Sequence, residues 1–397
     1  MFQASLQLYK NAYSGIPRPI WWLSLVMFVN RSGTMVIPFL TVYLTTRGYT
    51  LTQAGFIMAA FGIGSVLGGY LGGRLTDRFG FYHVQFFSLF LNGLMFIVLG
   101  QMQTLTQYAV CIFVLSSVGE AFRPANAAAI ASYSDESNRL RCYALNRLAI
   151  NLGWSIGPAV GGILASFNYS LLFWADGLTC IGASAILLAV LSYVKKEKNA
   201  IGHSETITST SAYKDAIFMK GMFYLFLIAL SFFQLFSVIP AYYKNVLLLK
   251  EAAIGWILAM NGLLIAAFEM ILVYKLENRG RTIVYITTGA LLIGFSFLFL
   301  ELGRTAMVAV ASMIIVTIGE MFLFPFLNNF WVKRSNQSNR GQYAAVYTMA
   351  FATATIMAPT IATQIADRAG FTTLWAVDFI LCGLAAIGFY SLKNKIT

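Results

Sequence analysis

Apolar stretches long enough to cross the ~30 Å hydrocarbon core of a bilayer, which takes ~20 helical residues, recur along the whole chain. Twelve are read, at 19–45, 52–73, 82–101, 105–131, 140–165, 170–194, 218–243, 253–275, 282–300, 305–332, 341–366 and 372–392. The polar breaks between them are short. The longest runs from Lys195 to Asp215, is rich in serine and threonine, and is basic at its start. It reads as a flexible linker and divides the chain into 1–194, a linker at 195–217, and 218–397.

The two halves echo each other. Ala54-Gly55-Phe56-Ile57-Met58-Ala59 answers Ile254-Gly255-Trp256-Ile257-Leu258-Ala259, and Gly119-Glu120-Ala121-Phe122-Arg123-Pro124 answers Gly319-Glu320-Met321-Phe322-Leu323-Phe324-Pro325. Pro158 pairs with Pro359, and Trp174 with Trp375, at nearly the same offset. A repeat of six spans predicts an all-α membrane protein whose twelve transmembrane helices form two pseudo-symmetric six-helix bundles. Their axis lies along the membrane normal and a site is expected where they meet at mid-depth.

Composition agrees with that reading. The chain is 58% hydrophobic and only 11% charged, with a mean hydropathy of +0.72, whereas soluble domains are about a quarter charged. The net charge of +12 is explained by placement rather than by a nucleic-acid partner. With a cytoplasmic N-terminus, the 27 lysines and arginines fall 19 cytoplasmic, 5 external and 3 intramembrane. This positive-inside asymmetry puts both termini in the cytoplasm, and the expected location is the plasma (bacterial inner) membrane. Residues 1–17 are too polar for a cleavable signal, and the four cysteines are expected as free thiols. No nucleotide-binding glycine loop, no metal spacing around His83 or His203 and no catalytic triad is read. The expectation is therefore a gradient-driven protein that is not an enzyme and carries no cofactor or metal.

Gly64, Gly68 and Gly72 share one helical face, which lets a neighbouring helix approach closely. Gly73-x-Leu75-x-Asp77-Arg78-x-Gly80 follows. It resembles the loop signature between the second and third helices of the major facilitator superfamily of transporters, with Phe81 and Tyr82 where that signature ends in basic residues. In the fifth span, Gly153-x-x-x-Gly157-Pro158-x-x-Gly161-Gly162 is similar to the glycine-proline motif of that family's proton-antiporter branches. Ala144 replaces a further upstream glycine, and Ala354, Ala358 and Ala362 replace the spaced glycines in the second half. Plain helix packing and an antiporter hinge both remain open. The resemblance covers nearly the whole chain. It implies that spans one, four, seven and ten line a central cavity, and that Asp77 latches the cytoplasmic side against the start of span eleven near Arg340. Gly73, Asp77, Arg78, Gly80, Arg340, Gly153, Gly157 and Pro158 form the expected gating set.

A central charge costs ~2.5–3.5 kcal/mol on insertion scales and asks for a partner or an aqueous cavity. The first half holds Arg31, Glu120, Arg123 and Arg147 within its spans. Glu120 and Arg123 are three apart and share a helical face. One reading has Glu120 bind and release a proton while Arg31 or Arg123 senses its charge. The other is a fixed ion-pair network. Glu320, whose repeat position lacks the arginine, is the rival proton site. Asp176 and Asp378, in spans six and twelve, read as structural. Phe233, Phe324 and Phe326 offer an aromatic wall, and Asn30, Asn126, Gln234 and Asn261 offer hydrogen bonds to a solute or pair between helices. Together with Arg31, Glu120, Arg123, Arg147 and Glu320 they form the expected substrate-binding set.

The expected function is alternating-access, proton-coupled export of amphipathic small molecules. The alternatives are a symporter or uniporter for an organic anion or peptide, and a non-transporting receptor or scaffold on the same fold. The expected partners are a small-molecule substrate, protons and membrane lipid, with no nucleic acid, and the chain is expected to act as a monomer.

Overall fold

The computed structural model describes residues 15–135, 138–191, 211–276, 279, 281–335 and 339–393, and no strand occurs among them. Arg18–Thr46, Leu51–Phe79, Phe81–Leu99, Leu105–Tyr133, Arg141–Phe167 and Ser170–Val190 are the helical spans of the first half. Ala216–Phe236, Glu251–Glu269, Thr282–Leu302, Ala306–Arg334 and Gln342–Ser391 follow in the second. The last is long enough to cross twice and is broken at Gly370, whose φ of 84° lies outside the helical region and is open to glycine without penalty. The described residues thus form twelve apolar crossings, as the hydropathy pattern predicts. Of the expected linker, 195–210 lies outside the described residues, and Ala212–Lys214 forms one 3-10 turn before the seventh span.

Contacts gather the described residues of Met1–Val36 and Ala60–Glu197 into one unit, and those of Ile37–Ala59 and Lys198–Thr397 into another. Within the first, the glycine face of the second span is used as its spacing suggests. A side chain on Gly64 or Gly68 would run into Ser116 and Ser117 of the fourth span, and one on Gly72 would stand 2.5 Å from the Ala121 Cα. Gly93 and Gly177 bring the third and sixth spans equally close, with 2.6 Å from a would-be Gly93 Cβ to the Gly177 carbonyl. In the second unit Gly289 and Gly319 do the same for spans nine and ten. Without a hydrophobic drive between helices in lipid, such close backbone approach is what holds them together. Large apolar side chains such as Leu178 and Ile387 are exposed and form the lipid-facing surface. All four cysteines are buried free thiols.

Several spans are interrupted where function is expected. The first consists of Arg18–Ser32 and Val36–Thr46, with a turn at Gly33, Thr34 and Met35 between them. The fourth passes from Leu105–Glu120 to Phe122–Tyr133 at Ala121. Pro124 has no N–H to return to the Glu120 carbonyl, so the helix loosens at that acid. The seventh ends in a 3-10 segment, Phe233–Phe236, before the short helix Ile239–Asn245, which has Pro240 in its first turn. At its start Asp215 caps the helix by accepting from the Ile217 and Phe218 N–H groups. Asp215 also takes a two-pronged bond from Arg334, 2.8 Å on each oxygen, and a hydroxyl bond from Tyr343 at 2.9 Å. Spans seven, ten and eleven are tied at that end.

Candidate functional site

In the first unit the site is built on the break in the first span. Arg31 stands one residue before the first helix segment ends. The fifth span fits against this break through its glycines. A Cβ on Gly153 would lie 2.5 Å from Arg31 Cβ, one on Gly157 2.7 Å from the Thr34 carbonyl, and one on Gly161 3.0 Å from Met35 Cβ. The glycine-proline motif therefore packs face to face with the residues that carry Arg31. The sixth span completes the frame. Asp176, fully buried, accepts the Met35 N–H on Oδ1 and the Val36 N–H on Oδ2, each at 2.9 Å. It thus caps the second segment of the first span, where a helix leaves its first N–H groups unbonded.

Arg31 is half-buried. Its Nε is shielded from solvent and has no hydrogen-bond partner among the described residues. It lies within electrostatic reach of Glu120 and Arg123. Glu120 Oε2 stands 3.2 Å from Arg123 Nε, and the side chains are 18% and 72% exposed. An ion pair that open is worth ~0–1 kcal/mol and is readily exchanged. Asn126 is buried and links two neighbours: it accepts from Gln85 Nε2 and donates to Asn146 Oδ1, both at 3.4 Å. Asn30 donates to Cys180 Sγ at 3.4 Å. Arg147 is exposed on the fifth span. Asp77 and Arg78 are exposed in the last turn of the second span, with the Arg78 guanidinium over the Phe79 ring. Gly80, at φ 83°, makes the turn that follows. Nothing stands within 4 Å of a Cβ placed on Gly73. The Arg340 side chain lies outside the described part of the structure.

In the second unit, Asn261 donates to Glu320 Oε2 and to Thr317 Oγ1, both at 3.0 Å. Of the repeat-related acids, Glu120 thus stands beside a guanidinium and Glu320 accepts from an amide. Phe233 and Phe324 both pack on Phe351, at 6.1 and 5.7 Å between ring centres, and Phe324 also meets Phe232 edge-on at 4.9 Å. Phe326, by contrast, is buried against Tyr285 at 4.7 Å and belongs to the core of its unit. Gln234 is also buried and donates through Nε2 to Asp378. No cluster of metal-ligating side chains occurs among the described residues.

Residues not singled out as site groups on sequence carry much of this frame: Gln85, Asn146 and Thr317, with Asp176 as a cap. The signal for them is the polar side chain inside an apolar span, which cannot stay unbonded in lipid. Which partner satisfies each depends on packing between spans, and periodicity does not report it.

The family model of the Major Facilitator Superfamily matches residues 21–359. The chain is 26% identical to a Na(+), Li(+), K(+)/H(+) antiporter of Planococcus maritimus, over 91% of each chain. It is 26% identical to Multidrug resistance protein 2 of Bacillus subtilis (strain 168), over 47% of this chain and 46% of that one. Among solved structures, a POT family transporter in complex with 5-aminolevulinic acid superposes with a TM-score of 0.79 at 17% identity, covering 97% of this chain and 98% of that one. A mutant of the nucleoside transporter NupG gives 0.75 at 12%, covering 94% and 100%. Such likeness at low identity shows the fold alone. With the family model spanning most of the sequence, this integral membrane protein belongs to the major facilitator superfamily of transporters.

Proposed function

We propose that the chain is a proton-coupled antiporter that exports amphipathic small molecules by alternating access, from a plasma membrane in which both its termini are cytoplasmic. The observation that carries this reading is the placement of Glu120. It sits where Pro124 loosens its helix, in a weak pair with the exposed Arg123 and within reach of the shielded Arg31. A carboxyl so placed can exchange a cation partner for a proton at small cost, which a permanently buried pair cannot do. The packing of Gly153, Gly157 and Gly161 on the Arg31 segment supports a coupling between that exchange and helix movement. The printed names of two relatives, an alkali-cation/proton antiporter and a multidrug resistance protein, are in line with exchange and with amphipathic cargo.

The test is solute-driven proton flux in proteoliposomes loaded with a fluorescent amphipathic solute. Glu120→Gln abolishes the proton flux on this reading, and Glu320→Gln leaves it. The reverse result moves the proton site to the second unit, and flux unaffected by either substitution rejects the coupling scheme.

A further inference from the structure

The two repeat-related acids of spans six and twelve, Asp176 and Asp378, are both buried, at 0% and 1% exposure, yet they are bonded differently. Asp176 has both oxygens occupied by backbone N–H groups at the break of the first span. The corresponding N–H groups in the seventh span are those of Ser237 and Val238, since 237 − 35 and 378 − 176 are both 202. They do not reach Asp378. Both close back on the Gln234 carbonyl, at 3.2 and 3.0 Å, as part of the 3-10 segment.

Asp378 is left with side-chain donors on one oxygen only. Ser231 Oγ at 2.8 Å and Gln234 Nε2 at 2.6 Å both donate to Oδ1. Asp378 Oδ2 and Gln234 Oε1 are buried with no hydrogen-bond partner among the described residues. Both residues line a cavity of about 20 Å³, room for a single water. The same repeat explains why the cavity exists. Gly157 and Gly161 press the fifth span onto the first, whereas their counterparts Ala358 and Ala362 stand in the cavity wall.

A bare carboxylate oxygen in such a place is costly, because no countercharge among the described residues repays its lost hydration. The remaining cavity-lining residues are aliphatic, and no lysine, arginine, histidine or second acid is among them. Among the described residues, the one titratable neighbour is the Cys382 thiol, one turn along the same helix and in electrostatic contact. A hard metal cation wants about six or more oxygens, and two unbonded acceptors do not supply that shell. A proton needs only one.

We propose that Asp378 is a proton-binding site: in this conformation the proton sits on Oδ2. When it passes to a water taken up in that cavity, the carboxylate draws the Ser237 and Val238 N–H groups away from the Gln234 carbonyl, as Asp176 already holds Met35 and Val36. Binding and release at Asp378 would then set the form of the break in the seventh span.

The test is infrared difference spectroscopy of the purified full chain in lipid, which needs no transported solute, so its failure is separate from failure of the exchange reading. At neutral pH the wild type minus Asp378→Asn difference shows a protonated-carboxyl C=O band that titrates away as pH rises. Ser231→Ala shifts that band, because the hydroxyl no longer donates to Oδ1, and this second variant identifies the band even where Asp378→Asn folds poorly. Absence of the band, a band that no pH removes, or one that Ser231→Ala does not move would each overturn the proposal. So would loss of the band on adding sodium or lithium chloride at constant pH and ionic strength, which would mark a metal-cation site.

Discussion

Replacing Asp176 by asparagine tests whether the break in the first span is held by that one acid. The change keeps the volume and one acceptor, but the amide nitrogen turns the other acceptor into a donor facing a backbone N–H. Met35 N–H lies 2.9 Å from Oδ1 and 3.3 Å from Oδ2, Val36 N–H lies 2.9 Å from Oδ2, and the residue is fully buried. A buried donor left unbonded costs ~1–3 kcal/mol, and a hydrogen bond to a charged acceptor contributes ~1.5–3 kcal/mol. With one of the two N–H groups losing its 2.9 Å acceptor and the helix-end interaction weakened by ~0.3–1 kcal/mol, the expected loss is about 2–4 kcal/mol. At ~2–4 °C per kcal/mol the thermal midpoint of the detergent-purified protein falls by roughly 4–16 °C. Because Arg31 lies four residues before Met35, solute exchange at permissive temperature falls as well. Asp378→Asn, which removes no backbone cap, leaves the midpoint within ~2 °C on the same scale. An Asp176→Asn midpoint indistinguishable from wild type, or equal losses in the two variants, would refute the reasoning.

Asp215→Asn keeps the helix cap, since asparagine caps as well as aspartate, but breaks the two-pronged bond to Arg334. Burial pushes the Asp215 carboxyl up, yet the Arg334 guanidinium, the Phe218 N–H and the Tyr343 hydroxyl outweigh it and hold the carboxyl below its usual range. A carboxyl lowered on folding gives stability that is complete above the ordinary aspartate value of ~3.9 and is lost as pH falls through the lower folded value. The midpoint gap between wild type and Asp215→Asn, ~1–2 kcal/mol for a partly exposed pair, is therefore full at neutral pH and shrinks on strong acidification. A gap independent of pH contradicts this. Gly153→Val forces a side chain into the Arg31 backbone and costs ~1–3 kcal/mol by overpacking, while Gly73→Ala, with open space around it, changes the midpoint by less than ~0.5 kcal/mol. Equal midpoints for the two glycine variants would show that the fifth span does not bear on the first as described.

The spans were legible because lipid allows little else: a stretch of ~20 apolar residues has to close its own backbone bonds as a helix. The break between the spans at 341–366 and 372–392 was legible for the same reason, and the structure places it at Gly370. The close-packed glycine faces at Gly64–Gly72 and Gly153–Gly161 followed from their spacing of four. The turn at 33–35 left no comparable mark, because what stabilises it is an acid 141 positions away. Asp176 and Asp378 looked alike on sequence, and only the donors around them, set by whether glycine or alanine lines the facing helix, separate a cap from a bare carboxyl. Phe326 illustrates the same limit. Its aromatic character was plain, but its burial against Tyr285 depends on rotation of the tenth span, which an almost wholly apolar helix does not disclose through periodicity.

Direct exchange is measured in proteoliposomes by following a fluorescent amphipathic solute and the internal pH in the same sample, under an imposed pH gradient of either sign. The account predicts that solute moves against the proton in both cases, reversing when the gradient is reversed, and that Glu120→Gln stops both movements together. Solute movement that keeps its direction or rate whatever the gradient, or that follows the proton into the same compartment, would contradict it.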